Sequence, residues 1–244
     1  MRVEDLLVIA ELADWRQARR RPRLWWRADG ARLEGAWLAR ALALSRGSAI
    51  PLSLASALAE PDRRFADLVN SQPQVRLLYL DATLNGHPPI ANAARSANAF
   101  DRFLPVAVSG RHRLDAGLVR VMSTAGFCAV SGFGALRSTA VLPRLDVHLA
   151  LTENPDHPRF RGRRHVLGRL GALLGERRRA GQWEEPIGLL SQQAVPSDAA
   201  WRFLAWFFQW KPLRDNVDWV DISDILPRPD HGSPSSLRRP ANRA

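Results

Sequence analysis

The sequence predicts an α/β protein built as a closed barrel of parallel β/α units, and three observations carry that expectation. Short, nearly continuous apolar runs alternate with segments whose apolar residues recur at helical spacing. The runs lack an inside–outside alternation, as expected of parallel strands buried on both faces. Seven or eight such units fall within about 225 residues, which suits a closed barrel better than an open sheet. An open doubly wound sheet is the alternative. No GxGxxG or P-loop pattern occurs, so nothing indicates a nucleotide site.

Residues 1–22 form a separate N-terminal element. Leu6, Leu7, Ile9, Leu12 and Trp15 mark an amphipathic helix from Asp5 to about Arg20, expected to act as a flap or plug ahead of the barrel. Pro22 ends it, and the barrel domain runs over residues 23–226. The first strand is Arg23-Leu24-Trp25-Trp26-Arg27-Ala28, stopped by Asp29-Gly30. Leu33, Trp37, Leu38, Ala41, Leu42 and Leu44 mark the next helix, closed by Gly47. Ile50 to Leu54 is a strand, and Pro61 begins a short helix to Asn70. Val75 to Leu80 is the third strand, ending at Asp81, with a turn at Gly86 to Pro88 and a helix over about 91–100. Phe103 to Val108 is the fourth, ending at Ser109-Gly110. Asp115 to Ala125 is helical with Gly126 as its cap. Phe127 to Ser131 and Leu145 to Thr152 are the fifth and sixth strands, and a long helix spans His165 to Arg179. Ile187 to Gln192 is the seventh strand. Asp198 is placed to cap a helix to about Trp210, and Val217 to Ile222 is a last strand. The Pro, Ser and Arg content of residues 227–244 reads as a disordered tail.

The composition is that of a globular protein, 46% apolar and 24% charged. The formal charge is +11, and Lys211 is the only lysine, so the positive charge is nearly all arginine. Such a balance is compatible with a phosphate-rich partner, but no nucleic-acid motif accompanies the scattered arginines. An Arg- and Ala-rich codon usage is the preferred account of them, and charge alone does not make this a nucleic-acid binder. Cys128 is the only cysteine, which excludes an internal disulfide and a Cys-based zinc cluster. Its run, Phe127-Cys128-Ala129-Val130, makes it a buried, inert thiol. Acids at Glu4, Asp5, Glu11 and Asp14 interrupt any signal-peptide core, and no apolar run is long enough to span a membrane. The expected address is the cytoplasm.

In a barrel the chemistry lies where strands end. Those ends supply Asp29, Asp81 with His87, Ser109 to His112, Asp146 with His148, and Gln192 with Gln193. Each has a bland reading beside the functional one: Asp29 ends a strand, His87 is a loop residue, His148 is a core histidine, Asp146 balances an arginine. The helix around Trp201, Phe203, Trp206, Phe207, Phe208 and Trp210 is core or a partner surface before it is a sugar platform.

The order of these segments resembles the polysaccharide deacetylases of the NodB-homology type, specifically a short bacterial subgroup without a signal peptide. The likeness spans about Leu6 to Leu226. It rests on Leu24-Trp25-Trp26-Arg27, on Arg102-Phe103-Leu104-Pro105-Val106, and on Gly188-Leu189-Leu190-Ser191 followed by the Trp201 helix. The resemblance implies a distorted (β/α)7-type, TIM-like barrel and a divalent metal, usually zinc, held by one Asp and two His. It also implies a second Asp as general base on metal-bound water, and a late His as general acid in removing acetyl groups from a glycan. Carried over, the base position falls on Ala28 and the ligand on Asp29; shifting the alignment by one residue would save the base and lose the ligand. The His-x-x-x-His pair falls on Leu80 and Leu84, with His87 nearby. The arginine loop leaves Arg113, the sixth strand carries Asp146-Val147-His148, and the acid falls on Gln192. With base, two imidazoles and acid replaced, the family mechanism should not run, and no cofactor is expected.

Three functions therefore stand open. One is a pseudoenzyme retaining a glycan- or partner-binding cleft. Another is an active hydrolase of acetylated sugars with a metal relocated among Asp29, Asp81, His87, Asp146 and His148. The third is an interaction protein working through arginine. The sequence sets neither the oligomeric state nor the cellular role.

Overall fold

The computed structural model describes residues 2–30, 35–56, 63–81, 98–109, 116–133, 141–152, 159–193 and 197–226. Eight strands are seen: β1 (Arg23–Gly30), β2 (Leu52–Ser56), β3 (Val75–Asp81), β4 (Phe103–Ser109), β5 (Ala129–Ser131), β6 (Val147–Ala150), β7 (Ile187–Gln192) and the short β8 (Asp218–Trp219). The helices are α1 (Val3–Gln17), α2 (Gly35–Ser48), α3 (Arg63–Asn70), α4 (Ala116–Thr124), α5 (Gly162–Arg179), α6 (Asp198–Gln209), α7 (Lys211–Asn216) and α8 (Ile222–Ile225). None is long and apolar enough to cross a membrane.

All named strand pairs are parallel, in the order β5-β4-β3-β2-β1-β7-β6. The two ends of that order meet. The amide of Leu145 donates to the carbonyl of Val130 at 2.9 Å, and that of Val147 to Gly132 at 3.0 Å. Parallel bridges join Val130 to Arg144 and Phe133 to Val147. The sheet thus curls on itself in sequence order, with a thin seam between β5 and β6, and the open doubly wound alternative is excluded. The seam is thin because β5 has three residues and β6 four.

Alternation along the strands sorts side chains into two cores. Leu24 and Trp26 of β1 point outward, with Leu77 and Leu189, into the layer shared with Leu12, Leu38, Val119, Leu170 and Phe207 of the helices. Trp25 points inward with Leu78, Leu80, Val106, Val108, Val147 and Leu190. Both faces of β1, β2 and β7 are buried along nearly their whole length, which is why these strands read as unbroken apolar runs.

Several local expectations change. Helix α1 is not a plug: it lies along α5, where the Trp15 indole donates to the Leu174 carbonyl at 3.1 Å and Leu7 covers Gly171. Its acids, which interrupt the apolar pattern, meet arginines of α5: Asp5–Arg163 at 2.8 Å, Glu4–Arg164 at 2.7 Å and Glu11–Arg178 at 3.0 Å. Plugging falls to the other end of the chain. Ile222 enters the inner core with Val220, Ile225 and Leu226 packed against it, and Asp221 pairs with Arg76 of β3 at 2.8 Å. The last strand is reduced to Asp218 and Trp219, paired with the start of β1. Helix α2 runs through Gly47 and turns at Ala49, whose φ is +57°. Ser197, not Asp198, caps α6, its hydroxyl accepting from the Ala200 amide, while Asp198 pairs with Arg40 at 2.7 Å. Gly126, at φ +88°, ends α4 as expected. Pro61, most of the helix expected over 91–100, and the tail 227–244 lie outside the described residues.

Candidate functional site

Strand β1 sets the site. Residues two apart share a face of a strand, so Trp25, Arg27 and Asp29 all enter the barrel. Arg27 is fully buried there and the Asp29 side chain is only 8% exposed. Their charged groups meet side-on: Nε lies 2.8 Å from Oδ1, and NH2 donates to Oδ2 at 2.9 Å. The first contact is an ion pair without hydrogen-bond alignment. NH1 donates to the hydroxyl of Ser131 at 2.5 Å, and that hydroxyl donates onward to the carbonyl of Leu145. The network crosses the barrel from β1 to the β5–β6 seam. Burial pushes the Asp29 carboxyl up, and the Arg27 guanidinium pulls against it.

The mouth above this pair is defined by register. Gln192 lies opposite Asp29, and its side-chain oxygen accepts from the Thr152 hydroxyl at 2.6 Å. The Gln193 amide donates to the Asp29 carbonyl at 2.8 Å. Asp81 ends β3 opposite Ser109 of β4. Ala28 and Leu80 are buried apolar side chains, Ala28 outward and Leu80 inward. Leu84, His87, His112 and Arg113 lie outside the described residues.

Asp146 and His148 stand elsewhere. Val147 lies opposite Gly188, which lies opposite Trp25, so Asp29 is four residues further along β1, roughly 13 Å at strand rise. Asp146 is held bidentately by Arg144, at 2.8 and 3.0 Å, and accepts from the Gly132 amide at 3.1 Å. The ladder between β6 and β7 slips between Val147 and Leu149, and His148 is the extra residue. Its ring answers the slip. Nδ1 accepts the Gly188 amide at 3.1 Å, while Nε2 lies 3.1 Å from NH2 of Arg177 on α5. Burial, with Arg177 alongside, lowers its pKa to about 4, so the ring is neutral at neutral pH.

A zinc ion needs three or four convergent donors. Asp29 is taken up by Arg27, Ala28 and Leu80 offer no donor, and the two nitrogens of His148 face an amide and a guanidinium. Among the described residues no group of three His, Cys, Asp or Glu could hold a metal. These residues do not fit the divalent metal that the resemblance implies.

Sequence reading missed Arg27 and Ser131. The signal for Arg27 was its spacing of two from Asp29, which an apolar-run reading of the strand hides. Ser131 carried none, because its role depends on a partner 104 residues away.

No protein-family model matches the chain, and no curated protein matches it in sequence. Solved structures do resemble it in fold. A protein from Bordetella bronchiseptica, proposed to be a polysaccharide deacetylase involved in O-antigen biosynthesis, aligns at a TM-score of 0.45 and 10% identity, over 81% of this chain and 85% of that one. The tryptophan synthase alpha chain of Legionella pneumophila aligns at 0.42 and 12% identity, over 86% and 97%. A truncated 3-deoxy-D-arabino-heptulosonate 7-phosphate synthase from Thermotoga maritima aligns at 0.42 and 10%, over 80% and 89%.

Proposed function

We propose that this chain is a deacetylase-like barrel that does not run metal-dependent deacetylation and acts by binding, with an acetylated glycan as the ligand class at its mouth. The observation that carries the reading is the Arg27–Asp29 pair. The carboxylate in the position of a metal ligand already has a cation, fixed on the same strand and tied through Ser131 to the far wall. A divalent ion would have to displace a buried guanidinium, leaving that second positive charge without its partner. The replacement of base, imidazole and acid positions by Ala28, Leu80, Leu84 and Gln192 points the same way.

The test is elemental analysis of untagged protein after incubation with zinc, cobalt or nickel and desalting, alongside acetate release from N-acetylated oligosaccharides. We expect no stoichiometric metal, no acetate, and saturable binding of the oligosaccharide. One metal per chain, lost on Asp29→Ala and accompanied by acetate release, would overturn the proposal.

A further inference from the structure

The face of α5 away from α1 carries a second set of arginines. Arg161, His165, Arg169, Leu173 and Arg177 recur every four residues and so form one stripe. The stripe looks across a cavity of about 450 Å³ at His148, Leu149 and Ala150 of β6 and at Phe133. The volume falls within the roughly 300–1,000 Å³ typical of small-molecule sites.

Among the described residues that line the cavity, cations outnumber carboxylates. Arg161, Arg169 and Arg177 line it, with Glu176 as the one carboxylate among the lining residues described. Glu176 meets Arg169 at 3.3 Å, with both side chains about half exposed, and Glu185 reaches Arg177 only at 3.7 Å. The arginines facing α1 differ, holding acids at 2.7 to 3.0 Å. Arg161 donates through Nε to the Thr152 carbonyl at 2.6 Å, so Arg169 and Arg177, with the longer ion pairs, are the two that turn charge toward the cavity.

The floor of the cavity has a hydrogen-bond mismatch. A neutral imidazole has one N–H and one lone pair, yet two donors face the His148 ring, the Gly188 amide and Arg177. With Nδ1 accepting from Gly188, the proton sits on Nε2 and confronts the guanidinium. The opposite tautomer sets the same conflict against Gly188. An acceptor beside Nε2 and Arg177 resolves it.

We propose that the cavity between β6 and α5 binds a small phosphorylated molecule, its anionic oxygens received by Arg177, Arg169 and the Nε2–H of His148. The guanidinium fork matches phosphate geometry and keeps its charge at every physiological pH. The site lies outside the barrel mouth, and its occupancy is independent of the fate of Asp29.

The test is calorimetric titration at constant ionic strength with inorganic phosphate, glucose 6-phosphate and glucose. We expect glucose 6-phosphate to bind more tightly than inorganic phosphate, and glucose to give no heat. Arg169→Gln, a half-exposed position whose loss the fold tolerates, should weaken binding about tenfold. Arg177→Gln should weaken it at least as much, and Arg40→Gln on α2 should leave it unchanged. Failure of both phosphates to bind, equal binding of glucose, or equal weakening by Arg40→Gln would each refute the site.

Discussion

Two buried residues on β1 carry most of what is unusual at the residue scale. Arg27 is fully buried and Asp29 nearly so, and neither charge tolerates loss of the other. We predict that Arg27→Met destabilises the protein by about 3–5 kcal/mol, because the orphaned carboxylate stays in the barrel. Arg27→Met combined with Asp29→Leu should recover most of that loss, since an apolar pair of similar volume suits the surrounding Leu80 and Val108. Urea midpoints of the two single variants and the double variant check this, and simple additivity would dismiss the coupling. His148 gives a second test. Its folded pKa of about 4 lies below the ordinary 6.5, so the unfolded chain takes up a proton that the folded chain refuses. The stability this contributes is whole above pH 6.5 and is lost as pH falls through about 4. The displacement corresponds to about 3 kcal/mol across that window. His148→Gln should flatten the loss between pH 6.5 and 4 in a series of urea titrations. A wild-type slope preserved in the variant would place the titration elsewhere.

Elements show where local sequence rules held and where they gave way. Strand positions were legible because parallel strands buried on both faces spell themselves as apolar runs, as in Leu77–Leu80 and Ile187–Leu190. Helix ends were less so. The left-handed residue after α4 is Gly126, as the glycine rule expects, but Ala49 takes that conformation after α2 and Arg19 after α1. At Ala49 the following amide, that of Ile50, reaches back to the Ser45 carbonyl at 3.1 Å. That closing geometry is the one a glycine would adopt without cost. Ala49→Gly should therefore raise stability by about 1 kcal/mol, read as a higher thermal midpoint; a lower one would mean the turn is not strained. Gly188 sits at the opposite extreme. A Cβ there would lie 2.8 Å from the Asp146 carbonyl, the Val147 Cα and the Trp25 indole nitrogen. Two of those atoms are backbone and cannot swing aside. Gly188→Ala should cost at least 1–3 kcal/mol and weaken the slipped ladder that His148 repairs, which faster amide exchange on β6 would register.

At the scale of the whole molecule, the barrel was readable and its stopper was not. Strand order follows from alternation and parallel pairing, but which terminal segment fills the floor depends on contacts between the first and last parts of the chain. The apolar pattern of α1 suited a plug equally well, and only the matching of its acids to the arginines of α5 assigns it to the outer layer. The candidate site was legible in the same partial way: Asp29 could be placed at the mouth, but Arg27 and the stripe along α5 needed a fold to show what each faces. The floor itself yields the last prediction. Ile222 is 1% exposed within the inner core, and Arg76 of β3, at the base of the barrel, meets Asp221 at 2.8 Å. Truncating the isoleucine removes buried methylenes from a ring of strands that cannot collapse inward, so Ile222→Ala should cost about 2–4 kcal/mol. Asp221→Asn should cost less, because Arg76 keeps the Pro73 carbonyl at 2.8 Å and is partly exposed. Ending the chain after Trp219 removes both, along with Val220, Ile225 and Leu226. That shortened protein should unfold at lower urea than either point variant and bind a hydrophobic dye through its opened floor. A truncated chain with the full-length midpoint and no dye binding would show that the strands close the barrel without the segment from Val220 to Leu226.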